Sequence, residues 1–194
     1  YSLPAHACRR GSLLRQIPGS VCSDCYALKN RYLFKNVQTA LYKRLDAVVS
    51  DTPKWENLIT QLIERKERSG YFRWHDSGDI QSIEHLNAIN NVALSLPHIK
   101  FWLPTREAGT PDSMLDMWLK EHEKKLADNL VIRVSANMIS QRPSSPTHWP
   151  LTITKSSVGL DGYHQCPAIN QGNNCGSCRA CWDSGVPVIN YTQH

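Results

Sequence analysis

The stretch Tyr71–Asp79, which reads YFRWHDSGD, decides the fold of this chain. Its first four residues have the bulky side chains of a β-strand, and the next five are polar residues and glycine. The preceding segment opens with Asp51-Thr52-Pro53, a capping side chain followed by a proline suited to the first helical turn. A helix followed by a strand that ends in polar residues is typical of an α/β sheet, whose sites lie at the carboxyl ends of its strands.

The same unit recurs along the chain. The pattern predicts helices over 32–49, from Pro53 to near Gly70, from Ile83 until Pro97 closes it, and from a cap at Thr110-Pro111. Leu33, Leu58 and Leu62 are among the side chains expected to face the core. Strands are predicted over 71–74, 99–103, 130–134 and 151–154, ending in polar or charged residues.

Strands separated by helices imply parallel pairing. The strands are too few for a complete eight-stranded barrel. We therefore predict an α/β fold with a partial (βα) barrel or an open, curved, mainly parallel sheet, and cysteine-rich loop segments at both ends. The 194 residues suit one domain. It divides into an N-terminal cysteine loop over 1–30, a βα core over 31–158 and a cluster-binding segment over 159–194.

Composition and charge exclude little. The formal charge of +5 is spread along the chain, so it does not support a nucleic-acid partner. No run approaches the roughly 20 apolar residues of a membrane span, and no signal-peptide pattern is visible. These features predict a cytoplasmic protein without a membrane partner.

Seven cysteines cannot all pair as disulfides, so thiolate ligands in a reducing compartment are the natural alternative. Cys175, Cys178 and Cys181 follow one another with two residues between neighbours, a spacing used by bacterial ferredoxins. Cys166, just before a proline, supplies a fourth thiolate. Gly172 and Gly176 allow the turns with positive φ that such a loop needs. This pattern predicts an iron–sulfur cluster ligated fully by protein.

The N-terminal group consists of Cys8, Cys22 and Cys25. Three thiolates leave one iron of a four-iron cluster open to bind and activate a small molecule. The three-plus-four division uses every cysteine and predicts one or two [4Fe-4S] clusters. A zinc ion held by Cys22 and Cys25 with Cys175 and Cys178 is the alternative, and it leaves three cysteines without a role. Cys8 as a buried free thiol, or His164 as a substitute ligand, also stays open.

Other polar side chains have two possible roles each. His75 and Asp76 form either an acid–base pair or a strand end with no chemical role. Arg106 and Glu107 either bind a carboxylate or form a structural ion pair, and Lys155 faces either a cluster or solvent. Trp182 is expected to shield the C-terminal cluster from water.

Four motifs together resemble the phage-encoded gene product 88 family over most of the chain. They are the segments 22–27 (CSDCYA) and 75–79 (HDSGD), Phe101-Trp102 with Thr105-Arg106, and the closing cysteines from Cys166 to Cys181. The resemblance implies a phage or mobile-element origin, and hence the cytoplasm of the host cell.

The order of parts also resembles a shortened radical S-adenosylmethionine enzyme. The resemblance implies that Cys8, Cys22 and Cys25 hold a cluster whose open iron binds S-adenosylmethionine. Tyr26, after Cys25, matches the usual aromatic residue. Thirteen residues separate Cys8 from Cys22, where that superfamily has three. The cofactor-binding residues implied by the resemblance and by the strand ends are Ser77, Gly78, Asp79, Arg106, Ser135 and Asn137.

Two further hypotheses compete with a radical enzyme. The first is a non-catalytic electron carrier or redox sensor, and the second is a zinc-stabilised nucleic-acid-binding module. Both the radical enzyme and the electron carrier would need a reductant such as ferredoxin or flavodoxin as a partner.

Overall fold

A computed structural model describes residues 1–122, 126–143, 149–150 and 153–192. Within them, six strands form one parallel sheet that curls into a half-barrel. The strands are β1 (Tyr71–Arg73), β2 (Lys100–Thr105), β3 (Leu130–Ser135), β4 (Ile153–Val158), β5 (His164–Gln165) and β6 (Val188–Tyr191), in the order β1-β2-β3-β4-β6-β5. The predicted α/β class with a partial, curved parallel sheet is confirmed.

Five α-helices accompany the sheet in the described part of the chain: α1 (Arg9–Leu14), α2 (Lys35–Ser50), α3 (Thr52–Lys66), α4 (Ile83–Ser95) and α5 (Met114–His122). The predicted start of α3 is confirmed, because the Asp51 carboxylate accepts a hydrogen bond from the Lys54 amide at 3.0 Å. The Ser82 hydroxyl caps α4 by accepting from the His85 amide at 3.0 Å. No helix among the described residues is long and apolar enough to cross a membrane.

Several predicted boundaries are wrong by a few residues. The helix predicted from residue 32 begins at Lys35, because residues 30–33 form a 3₁₀ turn, and Leu33 is 60% exposed. Leu58 and Leu62 are also more than half exposed, since α3 buries a stripe of Trp55, Ile59 and Ile63.

The last predicted helix begins at Met114 rather than after Thr110-Pro111. Ser113 caps it instead, exchanging hydrogen bonds with Asp116. The Thr110 hydroxyl accepts from the Arg10 guanidinium.

The sheet is buried on both faces. Phe101 and Leu103 of β2 and Ile132 and Val134 of β3 join the core beneath the helices, which we call the helical face. The alternate residues Trp102 and Arg133 point to the opposite side, the cysteine face. There Trp102 packs with Cys181 and Ile189. The chain after Gly159 therefore covers the second face of the sheet.

The C-terminal segment was predicted to be a cysteine-rich loop, and this prediction is wrong in part. It contains β5, β6 and two 3₁₀ turns, Pro167–Gln171 and Ala180–Trp182. Similarly, α1 lies within the predicted N-terminal loop. Of the strand predicted over 151–154, residues 151–152 lie outside the described residues, and β4 continues to Val158. The single-domain division stays a prediction.

Two buried histidines lie behind β1. His75 has φ of 48°, and its ring lies 5.5 Å from that of His85. Both ring nitrogens of His75 and Nε2 of His85 have no hydrogen-bond partner among the described residues. Burial lowers the pKa of His75 well below its ordinary value and that of His85 to about 3. His75 is thus a neutral strand-end residue in the core, and the acid–base pair with Asp76 is not formed.

Both histidines should make folding stability fall on acidification. The unfolded chain takes up protons below pH about 6.5 while the folded chain excludes them, so the free energy of unfolding decreases as pH drops. His75→Asn tolerates the positive φ and cannot titrate. Urea unfolding between pH 6.5 and 5 should show a pH slope smaller by about 1 kcal/mol per pH unit in this variant. Equal slopes in the two proteins would contradict a neutral, buried His75.

Candidate metal centres

All seven cysteines are free thiols in this structure. They divide into the two groups that the sequence predicts, which lie at different places on the sheet. Cys8, Cys22 and Cys25 lie near the residues that follow β1 and β2, at the carboxyl edge. Cys166 and Cys175 lie close enough to Cys181 on the cysteine face for their charges to act on it, and Cys178 follows Cys175 in a tight turn. We call them the N-terminal and the C-terminal cysteine group.

Gly11 brings two N-terminal thiols together. A Cβ atom at this position would lie 3.0 Å from Cβ of Cys8 and 3.7 Å from the Sγ atoms of both Cys8 and Cys22. The absence of a side chain at Gly11 therefore leaves the space into which both thiols point. The thiol of Cys25 is close enough for its charge to act on both of the others.

An ion pair between half-exposed Arg9 and buried Glu107 fixes Cys8. The Glu107 carboxylate is fully buried and accepts from the Arg9 guanidinium at 2.6 and 3.3 Å and from the Arg10 amide at 3.0 Å. These contacts hold the first turn of α1, directly after Cys8, against the end of β2. Glu107 thus forms a structural ion pair, with Arg9 as its partner.

Cys22 is anchored to the end of β3. The Val21 amide donates to the Asn137 carbonyl at 2.9 Å, and Ser20 bridges to Met138. Tyr26, after Cys25, donates its hydroxyl to the Asp76 carbonyl. The turns that carry the three cysteines are therefore fixed by the loops at the carboxyl edge of the sheet, as an α/β site requires.

The predicted cofactor-binding residues lie at this same edge, and several already have partners within the protein. The Ser77 hydroxyl donates to the Leu3 carbonyl at 2.8 Å. Gly78 has φ of +82°, and a Cβ there would lie 2.5 Å from Cβ of Leu3. The Ser135 hydroxyl lies 3.2 Å from that of Ser156, and the Asn137 carbonyl is bonded as described above. These residues shape the carboxyl edge.

Asp79 links two strand-end loops. Its buried carboxylate accepts from the Thr105 hydroxyl at 2.6 Å and from the amides of Ile80 and Arg106 at 2.8 and 2.9 Å. Burial raises the pKa of Asp79 to about 6. The Arg106 side chain differs, because its buried Nε has no hydrogen-bond partner among the described residues. Its guanidinium lies near Cys8 and Cys22 and acts to lower the pKa of both thiols.

Burial nevertheless dominates the N-terminal group. It raises the pKa of Cys8 and Cys22, and the charges of Asp79 and Cys25 raise both further. Three thiolates packed this closely repel one another in the absence of a cation. A bound metal ion or cluster reverses this balance, because its positive charge stabilises the thiolates. Cysteine thiolates are the ligands that thiophilic metals and iron–sulfur clusters prefer.

The C-terminal group is organised by β6. The Cys166 amide donates to the Asn190 carbonyl at 2.9 Å, and Sγ of Cys181 lies 3.3 Å from the Tyr191 hydroxyl. Cys181 is buried, and burial raises its pKa to about 11. Gly172 and Gly176 have φ of +62° and +52°, so their predicted conformations are confirmed.

Trp182 packs beside the C-terminal group, and its role as a shield for a cluster stays a prediction. Its ring lies 5.2 Å from that of Trp102, and its indole donates to the Phe72 carbonyl at 2.9 Å. His164 is exposed in β5 and lines a shallow cleft with Cys178. Lys155 lies in β4 and is partly buried.

Arg133 is the residue that the sequence analysis missed. It lies in the middle of β3 and is fully buried on the cysteine face. Its position in the apolar run LVIRVS, where β-strand residues alternate between faces, is the sequence signal that could have found it.

No group of three or more His, Cys, Asp or Glu side chains in the described ranges has a geometry that could hold a metal ion. A four-iron cluster binds each thiolate through a different iron atom, so its ligands stand farther apart than those around a single ion.

The family model described as Gene product 88 matches residues 1–184. The chain belongs to the gene product 88 family. The match includes both cysteine groups and confirms the resemblance to this family that was noted in the sequence. The resemblance to radical S-adenosylmethionine enzymes stays a prediction. Comparison of this gene product 88 chain with curated proteins and with solved structures finds no match to either.

Removal of the Glu107 carboxylate should loosen Cys8. Glu107→Ala removes the buried acceptor of the Arg10 amide and of the half-exposed Arg9 guanidinium, and the loss of such an acceptor lowers the free energy of unfolding by about 2 kcal/mol. Asp112→Ala is the matched control, because exposed Asp112 contacts the same two arginines. Chemical denaturation should show little change in the control. Equal effects of the two substitutions would contradict an anchoring role of Glu107.

Proposed function

We propose that this gene product 88 chain is an iron–sulfur protein with a cluster at each cysteine group. The observation that carries the proposal is the grouping of all seven thiols at two places in the fold, with Gly11 leaving room for the thiols of Cys8 and Cys22. Buried thiols that raise one another's pKa need a cationic partner to become thiolates. Iron–sulfur clusters supply it and prefer cysteine ligands.

The two groups would hold different kinds of cluster. Cys166, Cys175, Cys178 and Cys181 give every iron a protein ligand, which suits electron storage or transfer. Cys8, Cys22 and Cys25 leave one iron open at the carboxyl edge of the half-barrel. This location supports a second step of the proposal, in which the open iron binds S-adenosylmethionine. Such a cluster, when bound and reduced by a donor of the ferredoxin or flavodoxin type, would supply the one electron that breaks a carbon–sulfur bond of this cofactor and yields methionine and a 5′-deoxyadenosyl radical.

The protein's own contribution at this edge would be binding and positioning. The Arg106 guanidinium lies beside the thiols and has a buried Nε without a described partner, so it is the residue best placed to bind the anionic group of a ligand. Ser77, Gly78 and Asp79 hold the loops in place, and their own polar groups are used within the protein.

That last observation favours a second candidate, a non-catalytic electron carrier or redox sensor. In that case the carboxyl edge supports the N-terminal cluster without binding a cofactor, and a reductant of the ferredoxin or flavodoxin type would be its partner.

Paired substitutions should separate the two clusters. Cys22→Ser with Cys25→Ser should abolish the N-terminal cluster alone, and Cys175→Ser with Cys178→Ser should abolish the C-terminal cluster alone. Low-temperature EPR of each dithionite-reduced double variant should then show one cluster signal, and the two signals should differ. Loss of all signals in both soluble, folded variants would contradict two independent clusters.

Arg106 distinguishes the enzyme from the electron carrier. Arg106→Gln keeps the backbone amide that binds Asp79 and removes only the guanidinium. If the open iron binds S-adenosylmethionine, the cofactor should alter the EPR signal of the N-terminal cluster in the wild type. In the variant, the apparent dissociation constant of the cofactor, measured by the same EPR change, should be at least tenfold higher. Lys155→Gln serves as the control. An EPR signal that S-adenosylmethionine leaves unchanged in the wild type favours the electron carrier.

A further inference from the structure

Arg133 carries a charge in a place where charges are costly. Its side chain is fully buried in the middle of the sheet. Two of its nitrogens donate to four carbonyl oxygens: Nη1 to Lys155 at 2.9 Å and Val186 at 3.1 Å, and Nη2 to Ala180 at 3.1 Å and Asp183 at 3.2 Å. Three of the four acceptors flank Cys181 or follow it within five residues. A single side chain in β3 thus fixes the backbone on both sides of this cysteine.

The carbonyl groups satisfy hydrogen bonds of Arg133 but do not balance its charge. No described carboxylate forms an ion pair with it, and its buried Nε has no described hydrogen-bond partner. The carboxylate of exposed Asp183 instead accepts from the Gly185 amide at 2.8 Å. A buried guanidinium normally has an anionic partner, since an unpaired buried charge is strongly unfavourable. The titratable groups whose charges act on Arg133 are, in order of size, Tyr191, Cys181 and Asp183.

We propose that Arg133 is the buried counter-charge and positioning residue of the C-terminal cysteine group. Its guanidinium balances the negative charge of the metal-bound thiolates at Cys181 and its neighbours, and its four carbonyl contacts set where Cys181 lies. This inference rests on the proposed iron–sulfur function and assigns a role to a residue outside the cysteine motif. A fixed positive charge beside a cluster favours the reduced, more negative state, so Arg133 should raise the reduction potential of this cluster alone.

The test compares the two clusters within one molecule. Iron and sulfide are first measured in the anaerobically purified wild type, so that a protein without clusters is recognised as a failure of the proposed function. Arg133→Met, which keeps an unbranched side chain without the charged guanidinium, is then titrated potentiometrically and followed by EPR. The C-terminal cluster should shift to a more negative potential, and the N-terminal cluster should keep its wild-type potential as an internal reference.

Two further variants separate charge from position. Arg133→Lys keeps the charge but cannot bond four carbonyls, so the potential should stay close to that of the wild type while a chelator removes iron from the C-terminal group several times faster. It also provides a folded sample if Arg133→Met does not fold. Arg73→Met is the control, because exposed Arg73 contacts the Trp102 ring from β1 at 4.6 Å and is screened by water. Two results would overturn the proposal, each in an Arg133→Met protein that contains its full iron. The first is an unchanged reduction potential of the C-terminal cluster, and the second is an equal shift in the reduction potentials of both clusters.

Discussion

The sheet has two faces to bury, and helices cover one of them. On the helical face, alternate residues of β2 and β3 pack beneath the helices, as in any α/β fold. On the cysteine face, the chain after Gly159 performs the same task, with Trp102 packed against Cys181 and Ile189. A parallel sheet exposed on one side is unusual because its strands are apolar on both sides. The segment with four of the seven cysteines therefore contributes Cys181 and Ile189 to the core, and whatever fixes these two residues also stabilises the sheet.

This constraint links the two cysteine groups to the fold in different ways. The C-terminal group lies against the middle of the sheet, where β6 and Arg133 hold its backbone. The N-terminal group lies at the carboxyl edge, where Glu107 and the end of β3 hold its turns. A cluster with four protein ligands on the face of the sheet suits the storage or relay of electrons, and a cluster at the carboxyl edge suits contact with a ligand. The arrangement supports the division of labour that we propose.

The parts of the fold that could be predicted from sequence are those where local pattern and packing agree. Helix α4 repeats Ile83, Leu86, Ile89 and Val92 at helical spacing, and these residues are buried or partly buried. The sequence pattern did not predict elements and residue roles that depend on tertiary contacts. Strand β6 is four residues long and follows a proline, so it becomes a strand only because β4 and β5 pair with it. Asp79 was assigned to a cofactor because of its position after a strand, but a carboxylate there can equally bind neighbouring loop amides, and it does.

The central claim is that the two cysteine groups hold iron–sulfur clusters, and metal analysis tests it most directly. The protein is purified without oxygen, and iron, acid-labile sulfide and zinc are quantified per chain. Two four-iron clusters require about eight irons and about eight sulfides per chain, with little zinc. A colourless protein that contains zinc and no sulfide would contradict the account.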